Sequence, residues 1–93
     1  MSDAPIRTLP QARADVVFRR LEDEWVLFDP RRQLLHVVNA TGAAVWISCD
    51  GETSIGEVVD DLVATFTEPP DRGRIEADVR EALDRFLGEE LVG

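Results

Sequence analysis

Lysine is absent from this chain, and cysteine and histidine occur once each. A single cysteine, Cys49, excludes an internal disulfide. With His36 as the one imidazole, it cannot build a zinc site unaided, since such a site needs three or four protein donors. No metal and no cofactor are therefore expected. No run approaches the roughly 20 consecutive apolar residues of a membrane-spanning helix. The segment from Met1 to Ala14 contains Pro5 and Pro10 but no apolar stretch of the kind a secretory signal carries. From these absences a cytoplasmic chain, away from membranes, is expected. What remains is 93 residues, 44% of them hydrophobic, enough to bury one core and too few for two domains.

All ten cationic side chains are arginine, set against 19 carboxylates for a net charge of −9. The first 50 residues hold six arginines and seven acids, a balance of −1. The remainder holds four and twelve, a balance of −8. Nucleic-acid binding rests on neutralising phosphates, so the acidic half argues against DNA or RNA as a partner. The carboxylates fall opposite apolar stripes, where solubility accounts for them without acid/base chemistry. An acidic helical face can also speed encounter with a basic partner.

Periodicity orders the chain. Residues 1–14 follow neither a helical nor a strand repeat and read as a flexible tail preceding a domain over residues 15–93. Val16–Leu21 and Trp25–Phe28 are β-branched and aromatic runs on either side of a polar turn at Leu21–Glu24, which predicts a hairpin. In Asp29-Pro30-Arg31-Arg32-Gln33, Pro30 fits a tight turn and Asp29 can bond the backbone ahead of it. Leu34–Val38 is then a third strand of an antiparallel meander. Asn39 or Thr41 can cap a short helix through Trp46, ended by Asp50-Gly51. Ser54 and Glu57 have the capping-box spacing. Behind them Ile55, Val58, Val59, Leu62, Val63 and Phe66 form one helical stripe that Pro69-Pro70 stops. A third helix from about Asp71 to Leu87 buries Ile75, Val79 and Leu83, with Gly88 as its C-cap and Leu91-Val92 folding back. Trp25 and Trp46 are expected as core anchors, and Cys49 as a buried, inert thiol. The class is α+β: a three-stranded antiparallel sheet followed by three helices, arranged as a winged helix-turn-helix.

Strand Leu34–Val38 is apolar on both faces apart from His36, whereas a strand with one solvated face alternates. A three-stranded meander also leaves two edges whose backbone groups can template another strand. Either the short helix or the tail covers this surplus, or a partner does.

At Asp29-Pro30, at Val38-Asn39-Ala40-Thr41-Gly42-Ala43-Ala44-Val45-Trp46 followed by Asp50-Gly51, along the Ser54–Phe66 helix, and at Asp78-Val79 with Phe86-Leu87, the chain resembles the PqqD-like family. These are recognition elements for ribosomally made, post-translationally modified peptides. The resemblance spans about Val16 to Val92. It implies a non-catalytic peptide chaperone that binds the leader segment of a precursor peptide. Delivery would be to a modifying enzyme, commonly a radical S-adenosylmethionine protein or a leader peptidase. It further implies a leader lying as an added strand on the third strand, toward the third helix. The implied peptide-binding residues are Leu34, Leu35, His36, Val37 and Val38 on the strand and Arg74, Asp78, Ala82 and Phe86 on the helix. The turn Asp29–Gln33 is longer than that of the founding quinone-synthesis protein, so the likeness is to the general module. Two rival readings come from other classes. A winged-helix DNA-binding regulator would need a recognition helix less crowded with Glu76, Asp78, Glu81 and Asp84. A structural dimerisation subunit would pair its open edge with a second copy in a homodimer.

Overall fold

The computed structural model describes residues 8–65 and 71–92. Phe66 and the Pro69-Pro70 stop fall outside them. Three strands, β1 (Val17–Leu21), β2 (Glu24–Asp29) and β3 (Leu34–Val38), precede three helices, α1 (Ala40–Ile47), α2 (Ile55–Thr65) and α3 (Arg72–Gly88). The sheet is antiparallel in the order β1-β2-β3. The expected α+β architecture is present, and the differences lie in how its ends are tied down.

Each helix start follows from a side chain that accepts an otherwise orphaned N–H. Asn39 Oδ1 accepts from Gly42 N–H at 2.8 Å, which decides between the two caps open for α1. Ser54 Oγ accepts from Glu57 N–H at 3.0 Å while Glu57 Oε1 accepts from Ser54 N–H at 3.4 Å, a reciprocal capping box. Asp71 Oδ2 accepts from Gly73 N–H at 3.1 Å. Between α1 and α2, Asp50 takes three bonds, from Glu52 N–H, Thr53 N–H and Thr53 Oγ1. The two backbone donors hold its carboxyl below the usual range.

The end of α3 differs from expectation. Gly88 is helical, and the left-handed position falls on Glu90 at φ 58°. Leu91 N–H donates to Phe86 O at 2.9 Å and Glu90 N–H to Leu87 O at 3.1 Å, the two bonds of a Schellman motif. Glycine is favoured there by its own conformational freedom. Here the register is set by Leu91, which must reach the core beside Phe86, and both are essentially fully buried. Leu91 and Val92 do fold back as expected.

The residues read as a flexible tail are likewise not free from residue 8 onward. Leu9 is 0% exposed. Its N–H donates to Thr53 O at 2.8 Å, Ala12 N–H donates to Cys49 O at 2.8 Å, and Arg13 N–H donates to Leu91 O at 3.0 Å. The segment thus crosses from the α1–α2 loop to the C-terminal residues. Arg13 completes the attachment by donating to Asp29 Oδ1 and Oδ2 at 3.0 and 3.2 Å and to Asp15 Oδ2 at 2.7 Å. Asp29 is buried and Asp15 half-buried, and the Arg13 guanidinium holds both carboxyls below the usual range.

The core lies between the helices and one face of the sheet. Trp46 meets Phe86 edge-to-face at 5.5 Å, among Val45, Val58, Val79 and Leu83. Trp25 is not its equal: it is half-buried at the sheet's end, stacked on Phe18 at 5.6 Å with the Arg20 guanidinium 4.9 Å over its ring. Cys49 is buried as expected. Its Sγ lies 3.2 Å from Val45 O, and desolvation, with Asp50 nearby, pushes its pKa up to about 11.

Candidate functional site

The register of β2 with β3 pairs Leu27 with His36 and Trp25 with Val38. Alternation then divides β3. Leu34, His36 and Val38 share the face of Leu27, toward the helices, while Leu35 and Val37 share the face of Val26 and Phe28. That second face is open around a buried Val26: Leu35 is 57% and Val37 48% exposed, with Val17 and Phe28 beside them. The surplus apolar character of β3 is therefore not covered by α1 or by residues 8–14.

Along its outer side β3 has no strand partner among the described residues. What meets that side is a side chain: Arg85 Nη1 on α3 donates to Val37 O at 3.0 Å. In an antiparallel strand the N–H and C=O of one residue point the same way and alternate along the chain. Val37, and by parity Leu35, therefore offer their backbone groups to the open edge. Leu34, His36 and Val38 turn theirs to β2.

Beyond this edge a groove of about 810 Å³ runs between β3 and α3. Its apolar floor is Trp25, Val38, Ala82 and Phe86, and Val37 contributes its outward backbone. Asp23 from the β1–β2 turn, Glu24 at the start of β2, the cap Asn39 with Ala40 and Gly42 of α1, and Arg74, Asp78, Glu81 and Arg85 from α3 form the rim. This volume is at the upper end of that typical of small-ligand pockets, about 300–1,000 Å³. Gly42 is needed for the geometry. A Cβ there would sit 3.0 Å from Val38 Cβ, so glycine lets the start of α1 abut the end of β3.

Six of the nine residues expected at the site line this groove: Val37, Val38, Arg74, Asp78, Ala82 and Phe86. Phe86 does so as buried floor rather than as a free side chain. The other three do not line it. Leu34 is exposed near the turn, Leu35 points to the uncovered face, and His36 is buried with Nδ1 3.4 Å from Glu89 Oε2. Arg32 also reaches Glu89 O and the Glu90 carboxylate, and none of these three residues lines the groove. Asp23, Glu24, Trp25, Asn39, Ala40, Gly42 and Glu81 were not anticipated in this role. The signal for the first of them was in the pairing: β2 begins where β3 ends, which carries Asp23, Glu24 and Trp25 to Val38.

Against this geometry, the family model described as Coenzyme PQQ synthesis protein D (PqqD) matches residues 24–92. The chain belongs to the PqqD family. The matched PqqD region contains every groove residue except Asp23. Among solved structures, the chain is similar to the one described as TbiB1 in complex with the TbiA(β) leader peptide. Sequence identity is 26%, the TM-score is 0.71, and the match covers 88% of this chain and 93% of that one. No curated protein matches the chain. The PqqD fold here contains, among the described residues, no helix long and apolar enough to cross a membrane.

Proposed function

We propose that this PqqD-family chain is a non-catalytic recognition protein in the biosynthesis of a ribosomally made, modified peptide. It binds the leader segment of a precursor by strand addition to β3 and presents it to a separate modifying enzyme. The observation that carries the reading is the outward-facing Val37 carbonyl on an unpaired edge beside the apolar floor of Val38, Ala82 and Phe86. Backbone pairing along such an edge supplies affinity, and alternate side chains of the added strand enter the groove to supply selectivity. The relative that carries a leader peptide in its solved structure supports the same occupant. A radical S-adenosylmethionine protein or a leader peptidase is the expected enzyme, and the sheet face around Leu35 and Phe28 is available to it or to a second copy.

The winged-helix DNA reading has less support. Two arginines of α3 are engaged with carboxylates, Arg80 with Glu76 at 3.1 Å and Arg72 with Asp60 at 2.7 Å, and Asp78 and Glu81 stand on the same helix. The test is a displayed library of random twelve-residue peptides panned on the protein and on Ala82→Trp. The wild type should enrich strand-forming sequences. The indole, filling the groove floor, should reduce their retention at least roughly tenfold, as loss of a central interface contact does. Equal retention by a folded Ala82→Trp protein would contradict the site.

A further inference from the structure

Arginine and glutamate at i,i+4 on an exposed helix face ordinarily pair. On α3 this spacing occurs twice in the same orientation, at Glu76–Arg80 and at Glu81–Arg85. The first pair forms, with Arg80 Nε 3.1 Å from Glu76 Oε2. The second does not: Arg85 reaches away from Glu81 to Val37 O, 48 positions back in the chain, at 3.0 Å. Among the described residues Glu81 makes no ion pair. The acceptor that Arg85 takes is one an added strand would use, on an edge whose Leu34, Leu35 and Val37 side chains are exposed. Such an edge without protection pairs indiscriminately, and charged side chains are a common means of blunting it.

We propose that Arg85 is an edge guard and a specificity-determining residue of the groove, an inference that rests on the strand-addition reading. A peptide N–H replaces the guanidinium at Val37 O, and the freed Arg85 turns to Glu81, its unused neighbour one helical turn back. No polar group is orphaned by the exchange, so the guard is reversible. It sets a threshold that only a segment making further contacts in the groove exceeds.

The test uses a twelve-residue peptide retained by the wild-type protein from a random displayed library, titrated by calorimetry into wild type, Arg85→Ala, Arg85→Gln, Glu81→Gln and the Arg85→Ala/Glu81→Gln double variant. Removing the guard should tighten binding by roughly three- to tenfold, the scale of one exposed charge-assisted hydrogen bond. Glu81→Gln should weaken it by about twofold, because the displaced guanidinium loses its partner. In the double variant, the Glu81 effect should vanish. Affinity in Arg85→Ala that is unchanged or weaker overturns the guard while leaving strand addition standing, since the wild type still binds. If the wild-type protein retains no peptide from the library, strand addition itself fails and the guard with it.

Discussion

Replacing Leu9 by alanine tests whether the N-terminal segment is part of the domain. Leu9 is fully buried although it stands in no regular element, and its N–H is bonded to Thr53 O. Leu→Ala removes three carbons, about 2.4 kcal/mol at roughly 0.8 kcal/mol per buried methylene. A residual cavity raises the cost toward the 2–5 kcal/mol seen for such changes in cores. The segment is held by isolated bridges at Thr8, Gln11 and Ala12 rather than a full ladder, so it can relax, and about 2–4 kcal/mol is expected. A chain of this length has about 5–14 kcal/mol of stability in all, so the loss is a large fraction of it. The melting temperature should fall by roughly 10–25 °C. Urea denaturation followed by the fluorescence of Trp25 and Trp46 reads the change directly, with the slope unaltered. A loss under about 0.5 kcal/mol, the range of ordinary surface changes, would refute the docking of residues 8–13. Leu9 does not line the groove, so peptide affinity of the folded variant should not change.

Other consequences follow from named contacts. Because Arg13 holds Asp15 and Asp29 below the usual carboxylate range, their contribution is complete above the unfolded-state value near 4 and is lost as pH falls through the lower folded values. Arg13→Ala should therefore destabilise the protein at neutral pH and flatten the acid limb of its stability profile, and an unchanged acid limb would contradict the clip. Ser54→Ala removes one half of the capping box and should cost about 1 kcal/mol in chemical denaturation. Cys49, buried and with its pKa pushed up to about 11, should react with a thiol reagent at pH 8 only as fast as the protein opens. Labelling at the rate of a free thiol would show the site to be accessible.

The strands and helices were legible because each carries a period. The stripe beginning at Ile55 and the run Leu34–Val38 define their own faces, and Ser54 with Glu57 marks a helix start without reference to the rest of the fold. Leu9 was illegible because an isolated bridge has no repeat: a single leucine between Thr8 and Pro10 shows nothing of the distant Thr53 it meets. Gly88 misled for a related reason, since local preference pointed to glycine while the burial of Leu91 moved the left-handed position to Glu90. At the groove, the α3 and β3 residues were named through the family resemblance, but strand alternation sends Leu35 to the other face and buries His36 beside Glu89. Trp25, read as a core anchor by its size, became groove floor because its partner Val38 is the last residue of β3. The bond from Arg85 to the Val37 carbonyl was not legible, because Glu81 offers Arg85 an equally good partner at the spacing that Arg80 and Glu76 use.

The most direct measurement is a set of nuclear Overhauser contacts between a bound, unlabelled peptide and the isotope-labelled protein. Strand addition predicts backbone-to-backbone contacts from the peptide to Leu35 and Val37, together with side-chain contacts to Ala82 and Phe86. Contacts confined to α2, or to the sheet face of Val17 and Phe28, would place the peptide elsewhere and contradict the account.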